Sequence, residues 1–130
     1  MLLVILCSWY AISTLSYHPH YIPYFNELIG DRKNAYKYLS DSNLDWEDKT
    51  FFLNQFKKAH LGIEFQDEAA GKNPKPGFFL IPAIYYTGVF NEEQFAWLRE
   101  FEPLMHVAYS HYLFYVGPEE LGQALARHPV

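Results

Sequence analysis

The feature that most constrains the fold is an uncharged, mostly apolar run at residues 2–15, LLVILCSWYAISTL. It ends at His18-Pro19-His20, because proline disfavours continued helix. We expect the run to form an N-terminal helix. A lone membrane span needs about 20 apolar residues, so the run is short for that purpose. Three interpretations stay open: the end of a membrane helix, an interfacial anchor in a lipid bilayer, or a helix buried in the core.

Composition limits the rest of the chain to one domain. We expect residues 1–17 to be an apolar leader and residues 18–130 to be a single α/β domain. The chain has 130 residues, half of them hydrophobic, which is enough to bury a core. Cys7 is its one cysteine, which excludes an internal disulfide and a cysteine-rich zinc site. A net charge of −5 argues against a nucleic-acid partner bound through phosphate neutralisation.

The order of apolar and turn-forming segments predicts a small layered sheet with two main helices. The first helix is expected over about 44–60, and a second is expected to open at Asn91-Glu92-Glu93. Strands are expected at 36–39, at 63–65, at 78–81 and along the β-prone stretch 106–116, with a weak terminal helix over 119–127. The fold class that follows is α/β, preceded by the apolar helix.

Three segments carry a family resemblance. They are HPHYIPYFNEL at 18–28, DSNLDW at 41–46, and the Trp97-Leu98-Arg99-Glu100 segment followed by Glu102-Pro103 and Ala108-Tyr109-Ser110. In this order they resemble the C-terminal extracytoplasmic region of bacterial membrane glycosyltransferases of the dolichyl-phosphate-mannose-protein mannosyltransferase type, which use polyprenyl-phosphate sugars. The resemblance covers roughly residues 1–116. Its motif residues are His18, Pro19, Tyr24, Phe25, Asn26, Glu27, Trp97, Pro103, Tyr109 and Ser110.

The resemblance implies an accessory role. The catalytic acid of that family lies in an early loop between membrane helices, and no part of this chain corresponds to that loop. The chain also departs from the family pattern after Trp46, with Glu47-Asp48-Lys49 in place of Gly-Gln-Asp. We therefore expect a non-catalytic, membrane-associated periplasmic domain that caps the enzyme's membrane domain or helps to position the acceptor. The alternatives are a free-standing protein-interaction domain and, less favoured, a small sugar-binding or hydrolytic enzyme using Asp41 and Asp45.

The DSNLDW segment is the sharpest polar constellation. Its spacing begins like a calcium loop, but the glycine and the final glutamate of such a loop are missing. The favoured interpretation makes Asn43 a helix N-cap, with Asp45 among the acids near the helix dipole. The alternative is a ligand site for a sugar or a polyprenyl phosphate at the helix N-terminus. That site would consist of Asp41, Ser42, Asn43, Asp45 and Trp46.

The remaining candidates favour structural roles. His18 and His20 lack a third ligand at a recognisable spacing, so a turn fixed by Pro19 is preferred to a metal site. Trp97 is expected to pack in the core, although its ring is of a kind that stacks on sugars. In a regular strand the side chains of Ser110 and His111 would diverge, which excludes a nucleophile–base pair. No catalytic residue, metal or cofactor is predicted.

Overall fold

A four-stranded sheet forms the centre of the computed structural model, which describes residues 1–18, 28, 30–38, 49–89 and 91–129. The strands are β1 (Phe65–Gln66), β2 (Gly77–Pro82), β3 (Met105–Val107) and β4 (His111–Val116). They lie side by side in the order β1-β2-β4-β3. β1 is parallel to β2, whereas β4 is antiparallel to both of its neighbours. The fold is therefore α/β with a mixed sheet, as the sequence predicted at that level.

In the described part of the chain, α-helices and 3-10 helices accompany the sheet. The α-helices are α1 (Leu2–Leu15), α2 (Thr50–Ala59), α3 (Ala83–Tyr86) and α4 (Pro118–Arg127). The 3-10 helices cover Arg32–Lys37, Glu68–Lys72 and Trp97–Glu100. The N-terminal helix is confirmed, and α4 matches the predicted terminal helix. At the N-terminus of α4 the Glu120 carboxylate accepts a hydrogen bond from the Gly117 backbone N–H at 3.0 Å, which satisfies one of the donors that the helix leaves open.

Alternation along the central strands divides the apolar side chains between two clusters. In β2, Phe79 and Ile81 belong to the larger cluster, while Leu80 belongs to the smaller one. Successive strand residues point to opposite faces, so the two clusters lie on opposite faces of the sheet. The larger cluster includes Leu121 and Ala124 of α4. The smaller one is packed against Leu53 and Phe56 of α2 and includes Val107 of β3 and Leu113 of β4.

The predicted strand at 36–39 is wrong for its described part. Arg32–Lys37 forms a 3-10 helix instead. Packing explains the change, because the Tyr36 ring lies edge-on to two core tyrosines, 5.1 Å from Tyr86 and 4.9 Å from Tyr112 between ring centroids. Local alternation cannot anticipate such tertiary contacts.

Three other elements differ in form from the prediction. Asn91 does accept hydrogen bonds through its side chain, from the backbone N–H groups of Glu93 and Gln94 at 3.0 and 3.3 Å. However, the segment that follows turns and ends as the short 3-10 helix Trp97–Glu100, not as a main α-helix. The stretch 106–116 is a hairpin of two strands, because the chain reverses at Ala108-Tyr109. Helix α2 begins at Thr50 and not near residue 44, with Lys49 in the N-cap position, so the prediction of Asn43 as the N-cap of this helix is wrong.

Candidate functional site

The hairpin between β3 and β4 contains an unusual turn. Ala108 and Tyr109 have φ values of 52° and 58°, both in the left-handed region. A turn with positive φ at both central residues normally carries Asn-Gly or Asp-Gly at those positions, because a Cβ is disfavoured there. The Ser110 N–H closes the turn on the Val107 carbonyl at 3.3 Å. Strained residues of this kind persist only where the surrounding structure holds them, and they concentrate at functional positions.

Ser110 and His111 contact each other directly after this turn. The Ser110 hydroxyl and His111 Nδ1 share a hydrogen bond of 2.9 Å, although the strand pattern predicted that the two side chains diverge. That prediction was wrong because Ser110 follows the turn and lies outside the regular strand. Ser110 is fully buried, and its carbonyl accepts a hydrogen bond from the Ala83 N–H at 2.8 Å. The pair therefore links the hairpin to the start of α3.

The His111 imidazole lies in an environment that favours its neutral form. Burial, helped by the positive charges of Lys57 and Lys49, lowers its pKa from 6.5 to about 4. Both lysines flank or belong to α2, and Lys49 is itself only 4% exposed. His111 is consequently uncharged at neutral pH and keeps its hydrogen bond with Ser110 without introducing a buried charge.

Three rings connect α1 to the hairpin. The Tyr109 ring stacks on His106, with centroids 4.5 Å apart, and contacts Tyr17 at 5.1 Å. Tyr17 lies just beyond the C-terminal end of α1 and is 1% exposed. The ring contact thus fixes the end of α1 against the strained turn.

The chemistry that this hairpin can perform is limited by burial. A serine hydrogen-bonded to a neutral histidine resembles a nucleophile with its general base. The Ser110 side chain, however, is inaccessible to a substrate while the turn keeps its conformation. Among the described residues no group of three or more His, Cys, Asp or Glu side chains could hold a metal ion. We interpret the Ser110–His111 pair as a structural link.

The second notable feature is the exposed apolar surface of helix α1. Its large apolar side chains are exposed on all sides, from 50% for Leu6 to 73% for Leu3, and Trp9 and Tyr10 are also more than half exposed. Five consecutive residues, 2–6, are in this state, and five residues span more than one full helical turn. Ser13 is the residue of α1 that is buried. Within the part of the chain that the structure describes, no helix is both long and apolar enough to cross a membrane.

Some residues of the family motif lie in the described part of the chain and the others lie outside it. Trp97 is fully buried, with its ring 5.3 Å from that of Phe79, and Pro103 is buried as well. Tyr109 and Ser110 meet in the hairpin, while His18 is exposed. The ligand-site prediction and most of the first motif lie outside the described residues, namely Pro19, Tyr24, Phe25, Asn26, Glu27, Asp41, Ser42, Asn43, Asp45 and Trp46.

The sequence did not indicate that Tyr17, Lys49 and His111 surround the hairpin between β3 and β4. Lys49 and Tyr17 gave no local signal, because their burial depends on where α1 and α2 pack. His111 was considered only as a member of a continuous strand.

Comparison with family models, with curated proteins and with solved structures finds no match for the chain. The resemblance to the glycosyltransferase region therefore stays a prediction.

Proposed function

We propose that this chain is a non-catalytic accessory domain that associates with a membrane through α1. The observation that carries the proposal is the exposure of apolar side chains around the whole circumference of α1. A helix that is apolar on every side is stable when apolar material surrounds it, as lipid chains or membrane helices do. A partner that docked on one face would leave the opposite face of α1 in water.

The contact between α1 and the folded domain supports this proposal. Tyr17 is buried against Tyr109, so the apolar helix is attached to the sheet through the hairpin turn. In the proposed arrangement α1 lies in the bilayer or against the membrane domain of a glycosyltransferase. The α/β domain then lies at the membrane surface on the extracytoplasmic side, as the family resemblance implies. Capping of the membrane domain, or positioning of the acceptor, is the role that we assign to it.

The arrangement of the helices on the sheet is a further part of the proposal. We propose that the two main helices are α2 and α4, with α4 in place of the helix expected from Asn91, and that they are layered on opposite faces of the sheet. Leu53 and Phe56 of α2 pack on one cluster, and Leu121 and Ala124 of α4 belong to the other, which supports this layering.

A truncation tests the membrane role. A chain that starts at Ser13 keeps the buried Ser13 and Tyr17 and loses the exposed large apolar side chains of α1 other than Leu15. We expect it to remain folded by circular dichroism and to stay in solution without detergent, unlike the full chain. Unfolding of the truncated chain would show that α1 is a core element and would contradict the proposal.

The accessory role has its own test. The full chain should not turn over a polyprenyl-phosphate sugar, because nothing in it corresponds to the family's early-loop acid. Turnover by the purified chain would contradict the non-catalytic role and leave the membrane role standing.

A further inference from the structure

A cavity of about 390 Å³ opens beside the 3-10 helix Trp97–Glu100. Its volume is at the lower end of the range for small-molecule sites, which suits a ligand of about the size of a monosaccharide derivative. All of the described lining residues carry polar groups; they are Tyr36, Lys37, Tyr86, Thr87, Arg99 and Glu102.

Arg99 is held rigidly at this cavity by neutral acceptors. Its Nε donates to the Tyr86 carbonyl at 2.9 Å, and its Nη2 donates to the Glu92 carbonyl at 2.6 Å. Gly88, with φ of 83°, lies against the guanidinium so closely that a Cβ there would clash with Nη2. The guanidinium is therefore fixed in place without an acidic partner: no carboxylate of the described residues forms an ion pair with it.

The other charges of the cavity compensate each other. Lys37 Nζ lies 3.2 Å from the Glu102 carboxylate and 5.7 Å from the centroid of the Tyr36 ring. Once this pair is set aside, the Arg99 charge gives the cavity lining a net charge of +1. The chain as a whole carries −5, so this cavity is a locally positive place on an acidic molecule.

We propose that this cavity binds the oxyanion of a small polar ligand, a carboxylate or a phosphate, through Arg99. A guanidinium has five N–H donors in a planar fork, and two of them are used by the carbonyls of Tyr86 and Glu92. The remaining donors match the two oxygens of a carboxylate or a phosphate. Tyr36, Tyr86 and Thr87 line the same cavity. The hydroxyls of Tyr86 and Thr87 donate to the carbonyls of Phe101 and Ala83 at 3.1 and 2.8 Å, so towards a sugar hydroxyl each can act only as an acceptor. This inference does not depend on whether α1 enters a membrane.

Calorimetric titration of the full chain in detergent tests the proposal. The probes are inorganic phosphate, glucose 1-phosphate and glucuronate, with glucose as the uncharged comparison. We expect saturable binding of at least one anion and weaker binding of glucose. Preference for glucose 1-phosphate assigns the oxyanion as a phosphate, and preference for glucuronate assigns it as a carboxylate. Absence of binding by all three anions at about 10 mM would overturn the proposal.

Variants at the exposed ion pair locate the binding without disturbing the hydrogen bonds of Arg99. Glu102→Gln removes the negative charge of the cavity, so anion affinity should rise by about two- to fivefold. Lys37→Gln should lower the affinity by a similar factor. Glu119→Gln is the matched control, because Glu119 is exposed on α4 and outside the lining residues of the cavity. Equal effects of Glu102→Gln and Glu119→Gln would show that only the net charge of the chain matters, and would overturn the proposed site.

Discussion

At the scale of single residues, the turn at Ala108-Tyr109 shows how tertiary contacts override local preference. Neither residue favours the left-handed conformation, yet both adopt it. The Tyr109 ring is held between His106 and Tyr17, and the Ser110 hydroxyl is held by His111. These contacts offset the strain, so relieving the strain at the less constrained residue should stabilise the protein.

Ala108→Gly tests this account of the turn. Removal of the Cβ relieves a cost of about 1–2 kcal/mol at positive φ, while the greater flexibility of glycine in the unfolded chain returns part of it. We expect a net gain of about 0.5–1 kcal/mol in the free energy of unfolding, measured by urea denaturation. Ala108→Val should have the opposite sign, because a β-branched residue fits this conformation least well. Destabilisation by glycine would mean that the turn is not strained.

His111 gives the domain a pH dependence. Its pKa is lowered from 6.5 to about 4 in the folded state, so between these values the unfolded chain binds more protons than the folded one. Stability is therefore lost as the pH falls from 6.5 towards 4, and no further loss comes from this group below about pH 4. The full effect is at most about 3.5 kcal/mol. Denaturation at pH 7 and at pH 4.5 should show a smaller difference in His111→Gln than in the unchanged protein, and an equal difference would contradict the account.

At the scale of elements, the sequence allowed prediction where burial imposes a simple pattern. The strand predicted at 78–81 lies within β2, and the helix predicted over 119–127 lies within α4. Prediction failed where geometry comes from contacts between distant residues. The hairpin turn lacks the Asn-Gly signal of its type, so β3 and β4 were merged into one stretch. The Ser110–His111 contact could not be foreseen for the same reason.

The connection of α1 to the hairpin yields a prediction at this scale. Tyr17 and Tyr10 are the same residue type, but Tyr17 is buried against Tyr109 whereas Tyr10 is 68% exposed. Tyr17→Ala should cost about 3 kcal/mol or more of unfolding free energy, as deletion of a buried aromatic ring does. Tyr10→Ala should change it by about 0.5 kcal/mol or less. Similar losses for the two variants, measured by urea denaturation in detergent, would contradict the proposed connection.

At the scale of the whole molecule, a buried aromatic core contrasts with an exposed apolar helix. The sheet and the elements that pack on it bury an aromatic core, in which Phe79, Trp97 and Phe114 are fully inaccessible. Helix α1 instead exposes apolar side chains in every direction. A protein that works in water alone rarely presents such a surface. Contact of α1 with an apolar phase is therefore the central claim of the functional proposal.

Flotation with neutral phosphatidylcholine vesicles tests this claim most directly, because uncharged lipids exclude electrostatic attraction. The full chain should float with the vesicles. Ile5→Arg places a charge within α1 and should lower the partition coefficient by about 100-fold, from a cost of about 2.5–3.5 kcal/mol. The control Asn54→Arg adds the same charge at an exposed position of α2 and should float like the unchanged protein. A full chain that stays in the lipid-free fraction, or equal flotation of the two variants, would contradict the claim.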